Sequence, residues 1–208
     1  MWILPSLPSK NRLDNLAMPD IEESLLIGEK PVAVALDELT QHRKREIRSL
    51  AVRCLAYLDQ FEPAVEALAD DKQHPSWGAI FDGLKDAMAR GEVSAAKLKQ
   101  AIGARRGADS QALVRMLLGY RPDELLDPPG EKGGGEAARL VGYLDHESLD
   151  FRVLAYENIR RILGTEPLYR PQSAPEVRRR QAVPLQRLLD KGQFRYKSPP
   201  SVLPTPVG

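Results

Sequence analysis

Cysteine is nearly absent. Cys54 stands alone, which excludes an intrachain disulfide and any site made of clustered thiolates. The three histidines, His42, His74 and His146, lie far apart along the chain. β-formers are scarce as well. Thr occurs three times and Phe four, against 29 Leu and 22 Ala, a balance that favours helix over a sandwich or barrel. Neither sign of charge dominates: 30 Lys and Arg meet 29 Asp and Glu for a net charge of +1. Bulk charge therefore does not tie this chain to nucleic acid. No apolar run approaches the roughly 18 residues of a membrane span. The opening Met1 to Pro5 lacks the apolar stretch and the Ala-x-Ala site of a signal peptide. The expected location is the cytoplasm.

Length and composition point to packed domains. The chain has 208 residues, 42% hydrophobic and 28% charged, enough for one or two domains with a sizeable core. Proline then divides it, because proline lacks a donor and clashes inside helices. None occurs between Ser76 and Arg121 or between Gly130 and Glu166. Pro19, Pro31, Pro63, Pro75 and Pro122 stand singly, where helices could begin. From Arg43 to Leu58, the residues Ile47, Leu50, Ala51, Cys54, Leu55 and Leu58 recur at three and four, one face of a helix. Trp77, Ile80, Phe81, Leu84 and Met88 repeat that spacing up to Gly91. Further helices are expected over Ser94–Arg105, Gln111–Leu118 with Asp109 as N-cap, Glu136–Leu144 and Ser148–Leu163 before Gly164. The last should run from about Ala174 to Lys191, with Ser173 and Glu176 as a capping box and a kink or break at Pro184.

The organisation expected from these signals is an N-terminal extension over 1–18, a helical-repeat part over 19–127 and a Gly/Pro linker over 128–135. A C-terminal hairpin with a basic helix follows over 136–196, then a Pro-rich disordered tail over 197–208.

Two stretches repeat each other. At an offset of 104, Leu36 meets Leu140, Leu39 meets Tyr143, His42 meets His146 and Ile47 meets Phe151. Arg48 then meets Arg152, Leu50-Ala51 meets Leu154-Ala155, Leu55 meets Ile159 and Leu58 meets Ile162. The apolar positions agree through two helices and the turn between them, so each unit is a helical hairpin with the same buried face. A lone hairpin cannot cover that face, and neighbours must stack on it.

Asp145 to Ile159, Asp-His-Glu-Ser-Leu-Asp-Phe-Arg-Val-Leu-Ala-Tyr-Glu-Asn-Ile, resembles the HEAT-repeat pattern, and Arg43 to Leu58 is a weaker copy without the Asp in its turn. The stretch from Pro31 to Gln193 also resembles the C-terminal helical region of uncharacterised bacterial proteins, some with an upstream FecR-like anti-sigma regulatory domain. The cues are Arg-Ser-Leu-Ala-Val-Arg-Cys-Leu, the Tyr-Leu-Asp-His-Glu-Ser-Leu-Asp-Phe-Arg run, and Leu-Tyr-Arg-Pro before Arg-Arg-Arg-Gln-Ala-Val. The resemblance implies an α-α superhelix of antiparallel hairpins and an extended binding surface.

Candidate chemistry is thin. Gly130-Glu-Lys-Gly-Gly-Gly precedes a helix, but Lys132 is followed by glycine rather than Ser or Thr, so it reads as linker and not as a phosphate cradle. His42 and His146 hold equivalent turn positions with no third ligand evident, and His74 lacks a partner for acid–base work. Cys54 falls on an apolar stripe and reads as a buried thiol. Arg48 and Arg152 suit fixed bridging.

Charge segregates only near the end. From Arg170 onward eight Lys or Arg face two Asp or Glu, +6, and the remainder carries −5. Arg178, Arg179 and Arg180 are therefore the candidate partner-binding residues. No catalytic, cofactor or metal residue is assigned. The expected function is a non-catalytic protein–protein interaction module, with another protein as partner and no cofactor, membrane or small-molecule substrate. The alternative is a DNA-binding protein of the HEAT-like kind that resembles alkylpurine glycosylases. The near-neutral charge and few aromatics weigh against it.

Overall fold

The computed structural model describes residues 12–27, 29–125 and 135–198. Among them the protein is all-α. Its ten α-helices are α1 (Arg12–Ile27), α2 (Val32–Leu39), α3 (Arg45–Tyr57), α4 (Glu62–Ala67), α5 (Trp77–Arg90), α6 (Glu92–Arg106), α7 (Ser110–Leu118), α8 (Glu136–Tyr143), α9 (Leu149–Leu163) and α10 (Pro175–Asp190). Short 3-10 turns at Asp71–Ser76 and Gly107–Asp109 lead into α5 and α7.

The repeat seen in the sequence is a repeat in space. Adding 104 to the bounds of α2 gives those of α8, and the first residue of α3 becomes the first of α9. Each pair is a hairpin closed by a five-residue turn, 40–44 in the first unit and 144–148 in the second.

Two apolar clusters hold the helices together. The smaller joins Ala17 and Ile21 of α1, Leu36 of α2, and Ile47, Leu50, Ala51 and Leu55 of α3. The larger takes the other side of α3, through Val52 and Ala56, and runs on through α4 to α10. Its centre is α9, where Phe151, Val153, Leu154, Ala155, Ile159 and Ile162 are all buried. Leu50, Leu55, Leu154 and Ile159, expected in the core, are buried. Leu58 is not: it caps the end of α3 and is 48% exposed.

Of the stretch 128–135, only Gly135 falls within the described residues. The helices on its two sides share one core, with Leu113, Met116 and Leu125 in the same cluster as Ala137, Leu140 and Phe151. A buried ion pair crosses as well. Arg106, at the end of α6, donates from Nε to Asp150 Oδ2 at 2.7 Å, and Asp150 at the start of α9 is 1% exposed.

Pro19 does not begin a helix, and Pro184 does not break one. Pro19 lies inside α1 and Pro184 inside an uninterrupted α10. Both are exposed. On the solvent side water can satisfy the carbonyl that a proline leaves without its helical donor. Gly164 ends α9 in the left-handed region at φ 60°, as a stop signal requires. The ends of the disordered-tail and extension assignments, 199–208 and 1–11, lie outside the described residues. Residues 12–18 belong to α1.

Candidate functional site

The two hairpin turns are built alike. In the first, the Lys44 amide donates to His42 Nδ1 at 3.2 Å, and Arg48 Nη1 donates to the carbonyls of His42 (2.8 Å) and Arg43 (3.2 Å). In the second, the Ser148 amide donates to His146 Nδ1 at 3.1 Å. Arg152 Nη1 donates to the carbonyls of His146 (2.7 Å) and Glu147 (2.6 Å). Every partner is displaced by 104. The His accepts from the residue that precedes the helix, and the Arg gathers turn carbonyls that no helix bond reaches. Both histidines are thus turn-forming groups, and the ring of His146 also stacks on Phe151 at 3.9 Å.

Beyond the turn, the second unit grips a piece of its own chain. Arg152, 8% exposed, donates from Nε to the Pro171 carbonyl at 2.7 Å. The hydroxyl of Tyr169, also buried, donates to the Leu144 carbonyl, and its ring lies 5.8 Å from that of Tyr156. Burial pushes the Tyr169 phenol well above its ordinary range and pulls Arg152 down. Sequence reading missed this joint. Tyr169 and Pro171 sit in an irregular connection, and nothing local signals a bond to an arginine 19 residues earlier.

The three candidate arginines of α10 do different things. Arg178 turns inward at 8% exposure, donating to the Ser173 carbonyl at 2.8 Å and reaching Asp145 Oδ1 at 3.5 Å. Its buried Nε has no partner among the described residues. Arg179 is exposed and donates from Nε to Asp145 Oδ2 at 2.7 Å. Arg180 is exposed and meets no partner among the described residues. The expected cluster of three is therefore one anchor, one surface ion pair and one free cation. The expected capping box does not form either. Ala174 is the N-cap, with no side-chain bond, and the Ser173 carbonyl goes to Arg178.

Asp145 joins α10 to the hairpin turn, and the Arg179 hydrogen bond holds its carboxyl below the usual aspartate range. A depressed pKa stabilises the fold above the unfolded value, about 3.9, and that contribution disappears as pH falls through the folded value. Asp145→Asn is expected to lower the melting temperature at neutral pH. The gap to native protein should narrow in high salt and close as Asp145 is protonated in acid. Thermal melts at pH 7 and at acid pH, each with and without added salt, check this.

The other candidates stay separate. His74 is exposed, its Nδ1 3.2 Å from the Asp71 carbonyl and its ring edge-on to Trp77. Cys54 is half-buried against the smaller cluster, and burial raises its thiol pKa. Lys132 lies outside the described residues. Among those residues no three His, Cys, Asp or Glu side chains converge as a metal site, and no helix is long and apolar enough to cross a membrane. Comparison with protein-family models, curated proteins and solved structures finds no match for this chain.

Proposed function

We propose that this chain is a non-catalytic protein-interaction module, a scaffold or regulatory piece working in the cytoplasm, whose HEAT-like hairpins stack into a superhelix. The observation that carries this reading is the grip of the second hairpin on Tyr169 and Pro171. A hairpin whose arginine donates to a backbone carbonyl, and whose turn carbonyl accepts from a tyrosine hydroxyl, is a device for holding polypeptide. The same frame occurs twice in this chain. On α10 the exposed Arg179 and Arg180 add a basic edge suited to an acidic partner surface. Arg178 serves that edge by fixing the helix and does not itself touch the partner.

Affinity capture with the native chain and with Arg179→Glu/Arg180→Glu tests the reading. The native chain should retain a protein partner, and the variant should retain less. Added salt should also reduce recovery, because exposed charges are screened over about 10 Å at 0.1 M salt. Equal recovery by both proteins would remove α10 from the interface. Duplex DNA binding with a steep salt slope, lost in the variant, would replace this reading with a nucleic-acid one.

A further inference from the structure

The first hairpin carries a cleft of about 280 Å³ against its turn, lined on that side by Thr40, Gln41, Arg48 and Val52. Adding 104 to these positions gives Leu144, Asp145, Arg152 and Tyr156, and these are the residues around Tyr169. Leu144 accepts its hydroxyl, Tyr156 packs beside its ring, and Asp145 and Arg152 act electrostatically on its phenol. The positions that surround a tyrosine in the second unit line a cleft in the first.

We propose that this cleft is a socket for a tyrosine side chain on an extended segment of a partner protein. The proposal rests on the protein-interaction reading and assigns it a site and a ligand chemistry.

Three observations support an occupant of this kind. The residue 104 before Tyr169 is Val65, whose side chain is buried in the larger apolar cluster. The residue 104 before Pro171 is Ala67, and its carbonyl accepts from Trp77 Nε1 at 3.0 Å instead of from the turn arginine. Arg48 therefore keeps its turn carbonyls, but no acceptor among the described residues meets its Nε. Gln73 lines the same cleft and is 4% exposed, and its Oε1 has no donor among the described residues. A buried polar atom without a partner is costly to keep, and a ligand that supplies one is favoured.

The socket thus offers an unused donor on Arg48, the complement of a peptide carbonyl. The Thr40 carbonyl stands where Leu144 receives the Tyr169 hydroxyl. Charge agrees with a neutral ligand, because Lys72 and Arg48 are balanced by Glu66 and Asp70 on the same walls. The volume is just under the 300–1,000 Å³ of clefts that take drug-sized molecules, which suits one anchoring side chain and its backbone. Tyr169 of a second copy cannot supply the anchor, because it is buried in its own second unit, and the exposed Tyr57 lies on helix α3 and not on an extended segment.

The probe is a fluorescent, amidated peptide of residues 166–173, Glu-Pro-Leu-Tyr-Arg-Pro-Gln-Ser, titrated with the full chain and read by anisotropy. Saturable binding is expected. Changing the peptide's tyrosine to alanine should weaken it about tenfold or more, as loss of an aromatic anchor does. Gln41→Trp, at an exposed rim position, should block the socket with an unchanged melting curve. Arg48→Met should weaken binding too, and Arg179→Glu/Arg180→Glu should leave it unaltered. Absence of saturable binding, or full binding by Gln41→Trp, would overturn the proposal. Displacement of the peptide by inorganic phosphate would overturn it as well, by making the cleft an anion site. If the peptide fails while partner capture through α10 persists, the socket is wrong and the interaction reading stands. Loss of both refutes both.

Discussion

Replacing Arg106 with methionine is expected to lower the free energy of unfolding by about 3–5 kcal/mol, the range for breaking a buried ion pair from one side. Asp150 is 1% exposed and holds two bonds from that guanidinium, from Nε at 2.7 Å and from Nη2 at 2.6 Å. Among the described residues its only other donor is the neighbouring Phe151 amide, at 2.9 Å. Methionine keeps much of the arginine stem's packing, so the loss reports the stranded carboxylate. Arg106 Nη1 also reaches Ser148 Oγ at 3.3 Å, which places the change at the junction of α6 with the second hairpin turn. The double variant Arg106→Met/Asp150→Leu should recover most of the loss, because an apolar replacement of both partners removes the unpaired charge. Urea denaturation of the two single variants, the double variant and the native chain closes the cycle. A double variant no better than Arg106→Met alone would show that Asp150 is not the group left in distress.

Leu154→Ala should destabilise the chain by about 2–5 kcal/mol, as large-to-small changes do in a packed core. Leu154 is 1% exposed on α9, and the helices around it come from both sides of 128–135. The neighbouring Asn158 adds rigidity, since its Nδ2 donates both to the Leu154 carbonyl (2.8 Å) and to the Met116 carbonyl of α7 (3.0 Å). A site pinned in this way collapses poorly around a missing side chain, which favours the upper half of the range. The measurement is a denaturant melt with an unchanged m-value. A midpoint equal to that of the native chain would mean that the cavity is relieved by repacking.

Much of this architecture could be read from residue order, because its causes are local. The three-and-four spacing of Ile47, Leu50, Ala51 and Leu55 marks a helix face wherever it lies. The offset of 104 survives from the alignment to the helix bounds and to single hydrogen bonds at His42 and His146. What escaped depends on distant partners. Three adjacent arginines suggest one exposed patch, yet Arg178 is drawn inward by Ser173 and by Asp145, 33 residues earlier. Pro19 looks like the start of a helix until its solvent-facing position inside α1 is known. Gln73 carries no pattern at all. Its significance arises only in the fold, where it lines a cleft with α4 and the turn before α3 and its Oε1 meets no donor among the described residues. The candidate site is of this second kind throughout: the arginines were visible, but which of them are spoken for was not.

The position of α3, with the smaller apolar cluster on one side and the larger on the other, determines how the molecule comes apart. α1 and α2 rest on α3 and on each other, and among the described residues seven buried side chains form their shared core. That outer layer can lift away while α3 stays seated through Val52 and Ala56 on the helices beneath. Opening is then expected to start with this outer layer, which is held by few buried contacts. Amide protons of α1 and α2 are expected to exchange through this partial opening, ahead of those of α9, which a hydrogen-exchange measurement checks.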